Sequence, residues 1–267
     1  DWHRRRLSEE LAQVWNWRTD NGRLKDMAAR TLLLKLHRRS LISLPPPRLA
    51  PTRRSLSSPE LPGLDSTPVP INASLSEIAP VTIEPLHAKH PDYRTFSRQL
   101  AQHHYLGHRG PVGEHLAYLA RDRHGRDVAC LLFGASAWRA ASRDQFIGWD
   151  DATRAKHLNW TTNNTRFLIL PGVRVPHLAS HLLARTLRRL SADWQSKYGH
   201  PIHLVETFVD RSRFKGTCYR AANWICVGQT QGRSRQDRNL TLSVPVKDVF
   251  VQPLTPRFRE ELCRVDG

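Results

Sequence analysis

Two carboxylates, Glu206 and Asp210, stand four residues apart at the end of the apolar run from Ile202 to Val209. A strand there sends both side chains to one side, because successive residues alternate faces. The ends of strands are also where α/β folds place functional groups. Two carboxylates on one face would hold Mg²⁺ and activate a water for phosphodiester cleavage. They would serve equally as structural partners of Arg166, Arg211 or Arg213. Tyr219 and Cys218 follow in the short segment from Gly216 to Asn223. A phenol with an ordinary pKa of about 10 is suited to protonate a departing thiolate, and a core tyrosine is the alternative. Cys218 becomes a nucleophile if Arg220 favours its thiolate, although a buried structural thiol is the plainer reading. His104, next to His103 and Tyr105, ends an early helical stretch and is a candidate for a cleft role. Asp144 would orient a base or pair with an arginine. His177 and His181 share a helical spacing without a third ligand, so capping and core roles are expected and no metal set is assigned.

A second set of residues points to a polyanion. The chain has 41 Lys and Arg against 24 Asp and Glu among 267 residues, a formal charge of +17. Such self-repulsion is tolerated when the partner is nucleic acid, and DNA is the expected one. The candidate contacts are Arg23, Lys25, Arg30 and Arg38, then Arg213 and Lys215, then Arg233, Arg235 and Arg238. The last three lie in a glycine-punctuated polar loop after Trp224, a ring expected to stack on a base. Membrane attachment is not expected, since neither a long apolar run nor a basic amphipathic helix with a lipid anchor is evident. Four scattered cysteines without a CxxC pair suit reduced thiols in the cytoplasm.

The elements that must position these residues fall into four stretches. Residues 1–44 read as a helical, DNA-docking module. An amphipathic helix over 4–17 carries Leu7, Leu11, Val14 and Trp15 inward. The turn at Asn21-Gly22 leads to a second helix from 23 to 38, with Leu24, Met27, Ala28, Leu32 and Leu36 inward. A short strand over 40–44 would make the module helix-turn-helix or winged, and a plain helical hairpin is the alternative. Between Pro45 and Pro80 lie nine of the 18 prolines, which predicts an extended linker over 45–80. Residues 81–254 alternate strand and helix: strands near 81–83, 116–121, 128–135, 166–175, 202–209, 225–227 and 240–244, and helices over 93–105, 179–198 and 216–223. A helical insertion falls at 143–159. This order predicts an α/β domain with a mixed sheet, and 255–267 is left as a tail.

Several long runs resemble the DruA family of the Druantia anti-phage system, members of which also occur within transposase-like mobile-element proteins. These are Asn163-Asn-Thr-Arg-Phe-Leu-Ile-Leu-Pro171, Val175-Pro-His-Leu-Ala-Ser-His181, Glu206-Thr-Phe-Val-Asp210, Arg213-Phe-Lys-Gly-Thr-Cys-Tyr-Arg-Ala-Ala-Asn-Trp224 and Val227-Gly-Gln-Thr-Gln-Gly-Arg-Ser-Arg235. Trp15-Asn-Trp-Arg18, Gly22 and Leu44-Pro-Pro-Pro47 are similar too. The resemblance implies a role in phage defence or mobile DNA, with other defence-system or transposon proteins as partners. The element order and the stretch from Phe214 to Gly228 are also similar to the GNAT-type N-acyltransferase fold. That likeness implies an acyl-coenzyme A donor, its pyrophosphate held near Arg174, Val175 and His177 at a helix N-terminus. The loop from Pro171 to His177 departs from the pattern in lacking a run of glycines, and Pro176 removes a donor. Coenzyme A is therefore doubtful on the sequence, and Mg²⁺ belongs to the nuclease alternative.

Overall fold

The computed structural model describes residues 2–18, 24–46, 70–232 and 245–264. The chain divides into two units, residues 1–65 and 66–267.

The first unit is a helix pair, α1 (Arg4–Val14) and α2 (Asp26–Arg38). The His3 imidazole accepts the Arg6 N–H at 3.3 Å and caps α1. Asp26 opens α2, and Lys35, His37 and Arg38 close it. Each charge therefore faces the end of the helix dipole it stabilises. The contact is made by small residues: Ser8, Ala12 and Ala29 are fully buried. Val14 and Met27, expected inside, are 77% and 62% exposed, and Trp15 also faces solvent. Residues 40–44 form no strand. Among the described residues the unit is a pair of helices, without the strand expected over 40–44. The turn expected at 21–22 lies outside the described residues.

The second unit begins earlier than the proline content predicts. Strand β1 (Ile71–Asn72) and helix α3 (Leu75–Ile78) precede the sheet. Ile71 and Ile78 are buried, so 71–78 is packed structure and not linker. Ser74 and Glu77 form a reciprocal cap on α3. Then come β2 (Thr82–Leu86), α4 (Tyr93–His103), β3 (His115–Arg121), β4 (Asp127–Ala135), α5 (Ala141–Ile147), α6 (Asp151–His157) and β5 (Thr161–Ile169). The chain continues through β6 (Val173–Arg174), α7 (Leu178–Tyr198), β7 (Leu204–Asp210), α8 (Thr217–Ala221), β8 (Ile225–Gln229), β9 (Lys247–Pro253) and α9 (Phe258–Leu262). The single strand expected over 166–175 is in fact β5 and β6 with a turn between them. Residues 240–244, expected to close the sheet, lie outside the described residues, and β9 fills that place. The expected tail is a packed helix: Phe258 and Leu262 of α9 are buried beside Ile147 and Trp149.

Seven strands form one mixed sheet in the order β2-β3-β4-β5-β7-β9-β8, while β1 and β6 pair separately. The strands β3 and β4 read as nearly continuous apolar runs because both their faces are covered. Helix α7 lays Leu183, Leu190 and Trp194 on Leu131, Phe133, Val205 and Phe250. All neighbours in the sheet are antiparallel except β5 and β7, which run parallel. That pair is joined only over Thr161–Asn163 and Leu204–Glu206. Two residues later, Thr165 has no partner on β4, a bulge that bends β5. Beyond it the two strands part, and each keeps an unpaired edge facing the other. Among the described residues no helix is long and apolar enough to cross a membrane.

Candidate functional site

The parting of β5 and β7 opens a cavity of about 530 Å³. Its walls are Thr165 and Phe167–Ile169 of β5, Thr207–Val209 of β7, the turn 214–217 and the end of α4. Ala179, in the first turn of α7, also faces it. Tyr219 sits at its inner side, nearly buried, and donates its hydroxyl to Asn164 Oδ1 at 2.8 Å. The ring stacks on Phe250 and meets Trp224 edge-on at 5.0 Å. Asn164 is itself fixed: its amide donates to Leu132 O and Arg166 O, and its backbone oxygen accepts the Thr207 hydroxyl at 3.0 Å. Burial raises the Tyr219 pKa, so the phenol keeps its proton. Burial likewise raises the Cys218 thiol. This agrees with the structural thiol, and the alternative of a thiolate favoured by Arg220 is not supported. Arg220 instead lies over the Phe250 ring and donates to Lys215 O.

His104 caps α4 at the cavity wall. Burial and the charges of Arg166 and His108 push its pKa down to about 4, so the ring is neutral near pH 7. Its Nδ1 accepts the Leu106 N–H at 3.2 Å, which leaves the proton on Nε2. His104 packs against Tyr105, and Arg213 lies 5.2 Å over the Tyr105 ring. Phe214 meets the same ring edge-on at 5.3 Å and is itself 50% exposed. No carboxylate lines the cavity among the described residues.

The two acids that open the sequence argument do not converge here. Glu206 is fully buried, and its carboxylate is used up by Ala137 N at 2.6 Å and Arg143 Nη1 at 2.7 Å. Burial raises its pKa and Arg143 opposes the rise. Arg143 also grips Asp144, which accepts the Trp149 indole N–H at 3.0 Å. Glu206 and Asp144 are therefore ends of one buried structural ion network. Its cations are Arg143 and, 3.8 Å from Asp144, Arg154, not the arginines expected from the sequence. Asp210 lies four strand residues from Glu206, about 13 Å along β7. It accepts Ser212 N and Oγ at 3.0 and 2.7 Å, bonds that hold its carboxyl below the usual range. Its backbone oxygen takes the N–H groups of Arg213 and Phe214. Asp210 thus shapes the turn that carries the cavity mouth rather than binding a metal with Glu206.

Of the other expected residues, Arg213 and Lys215 stand exposed at the mouth. Arg174 is exposed on β6, half-buried Val175 follows it, and His177 caps α7 with a positive φ of 64°. Lys25 caps α2, Arg30 buries its Nε, and Arg38 is exposed in the last turn. Arg23, Arg233, Arg235 and Arg238 lie outside the described residues. Trp224, expected to stack on a base, is 4% exposed and belongs to the core. A cluster of Glu84, His90 and Asp92 has metal-like spacing. Arg121 already bridges Glu84 and Asp92 at 2.8 and 2.7 Å and fills that role with its own charge. Sequence reasoning missed Arg143 and Phe214. Only Phe214 carried a signal, an aromatic ring between Arg213 and Lys215.

A model of the Druantia protein DruA family matches residues 35–262. The chain belongs to this family. The matched span takes in the cavity, the Arg143 network and every element of the family member's sheet. No curated protein matches the chain. Among solved structures the chain is similar to spermidine N-acetyltransferase from Vibrio cholerae, at 9% identity and a TM-score of 0.43, over 65% of this chain and 95% of that one. It is similar too to a putative acyl-CoA N-acyltransferase from Klebsiella pneumoniae, at 15% identity and 0.38, over 66% and 98%.

Proposed function

We propose that this DruA family member is a cytoplasmic, DNA-engaging protein of phage defence or mobile DNA, with the cleft between β5 and β7 as its working site. One observation carries the reading. The cavity walls hold no carboxylate among the described residues, while Arg213 and Lys215 stand at the mouth of a chain with a formal charge of +17. An anionic ligand is favoured there and a divalent metal is not. The metal-dependent nuclease alternative loses its two acids to the Arg143 network and the Ser212 turn. The helix pair supplies further cations through Lys25 and Arg38, and other defence-system or transposon proteins are the partners expected to complete the activity. The test is DNA binding across a salt series. Affinity should fall steeply as salt rises, and Arg213→Gln with Lys215→Gln should flatten that dependence. Binding that ignores both salt and these substitutions would sink the proposal.

A second reading, acyl-group transfer, is favoured by the position of Tyr219 between two unpaired strand edges. An extended amide chain would pair with such edges, and a protonated phenol beside it would serve as a proton donor. The segment ahead of α7 offers the pyrophosphate of coenzyme A fewer donors than a glycine-rich loop would. Pro171 and Pro176 have no N–H, and the N–H groups of Val173 and Leu178 are committed to Leu170 O and Val175 O. The segment is further tied to β1, where Gly172 O and Arg174 O accept from Ile71 and Ala73. Coenzyme A is therefore not favoured as the donor. A rise in melting temperature with acetyl-coenzyme A would reinstate it.

A further inference from the structure

The mouth of the cavity concentrates polar groups without partners around one exposed aromatic ring. Phe214 is half exposed and lines the cavity. Beside it, the Tyr105 hydroxyl, the Lys215 ammonium and the Arg213 guanidinium have no hydrogen-bond or ion-pair partner among the described residues. The faces of Tyr105 are already taken by His104 and Arg213. Phe214 therefore offers the ring that remains open. The backbone beneath it is not loose: Asp210 O binds the Arg213 and Phe214 N–H groups at 3.1 and 2.9 Å, and the Asp210 carboxylate binds Ser212. The Asp210 carboxylate also acts on Tyr105 and Arg213, while its hydrogen bonds are spent on Ser212.

An open ring flanked by two cations and a hydroxyl, above a cavity with apolar walls, matches an unpaired nucleotide. The base has a π face for Phe214, and its phosphate suits Arg213 and Lys215. A paired base offers no such face, because its neighbours in the helix cover it. We infer that Phe214 receives one unpaired base of a nucleic-acid strand at the cavity mouth, with Arg213 and Lys215 on the flanking phosphates. This inference rests on the nucleic-acid reading above and adds to it a preference for single-stranded or flipped-out bases.

The experiment uses the full chain and a short single-stranded oligonucleotide carrying one 2-aminopurine, with the matching duplex as control. Stacking should quench the 2-aminopurine, and Phe214→Leu should weaken single-strand binding about tenfold and restore the fluorescence. Duplex binding should be unchanged in that variant, and Phe214→Tyr should restore single-strand affinity. A melting curve on each variant separates lost stacking from lost folding, and a half-exposed ring is a mild site for substitution. If the wild-type chain binds DNA in a salt-dependent way and Phe214→Leu changes neither affinity nor quenching, this inference is overturned and the broader reading stands. If the wild-type chain binds no nucleic acid at all, both fall together.

Discussion

Replacing Arg143 by alanine leaves Glu206 as a lone buried carboxylate. Breaking a buried pair in this way costs about 3–5 kcal/mol, so a large fall in melting temperature is expected. The double change Arg143→Met with Glu206→Leu should recover most of it, and a thermal melt of both variants decides. Tyr219→Phe removes the donor to Asn164 Oδ1 at a cost of about 1–3 kcal/mol, and chemical denaturation measures it. His104 gives a prediction about pH. Its folded pKa, about 4, lies below its ordinary value of about 6.5. Between those values the unfolded chain binds more protons, so stability falls as pH drops from about 6.5 towards 4. His104→Gln should flatten that part of a melting-temperature profile, whereas an unchanged profile would show that His104 does not titrate this way. At this scale the sequence was partly legible. Tyr219, Cys218, His104, Arg213 and Lys215 do gather at one cleft. Glu206 and Asp144 do not, because strand alternation tells which residues share a face but not what packs on that face. The partner that decides their role, Arg143, is 63 residues from Glu206 in the chain.

The cleft depends on how few residues join β5 to β7 and on the sharp turn before α8. Gly216 holds φ at +68° there, and a Cβ on it would meet the Phe250 ring at 2.8 Å. Gly216→Ala therefore combines backbone strain with a clash against the ring under Tyr219. The expected result is a clear drop in melting temperature and weaker DNA binding through displacement of Phe214 and Lys215, both readable in one titration. Long periodic elements such as α4, α7 and the β3–β4 pair were plain from the sequence. Their apolar residues repeat at the period of the element, and the turn at His124-Gly125 marks the hairpin. Three features were hidden. Residues 71–78 looked like linker because proline density masked the apolar anchors Ile71 and Ile78. The helix pair buries the small residues Ser8, Ala12 and Ala29, whereas the apolar stripes read from the sequence placed the exposed Val14, Trp15 and Met27 inside. Strand β9 follows a basic polar stretch, and its apolar core is only Val249–Val251.

On the scale of the whole molecule, the two units make separable predictions. Residues 66–267 contain the entire sheet and its core clusters. Expressed alone, that unit should melt cooperatively and retain the Phe214-dependent quenching of a single strand. Loss of residues 1–65 should reduce overall DNA affinity by removing Lys25 and Arg38, with a shallower salt dependence as the readout. Equal affinity in both forms would remove the helix pair from DNA docking. The small parallel pairing of β1 with β6 has a mechanical meaning. The chain arriving from the first unit is hydrogen-bonded to the segment just ahead of α7, through Ile71 N to Gly172 O at 2.9 Å. That bond lies next to the helix whose opening turn borders the cavity. The clasp thus anchors the segment that leads into one wall of the cleft.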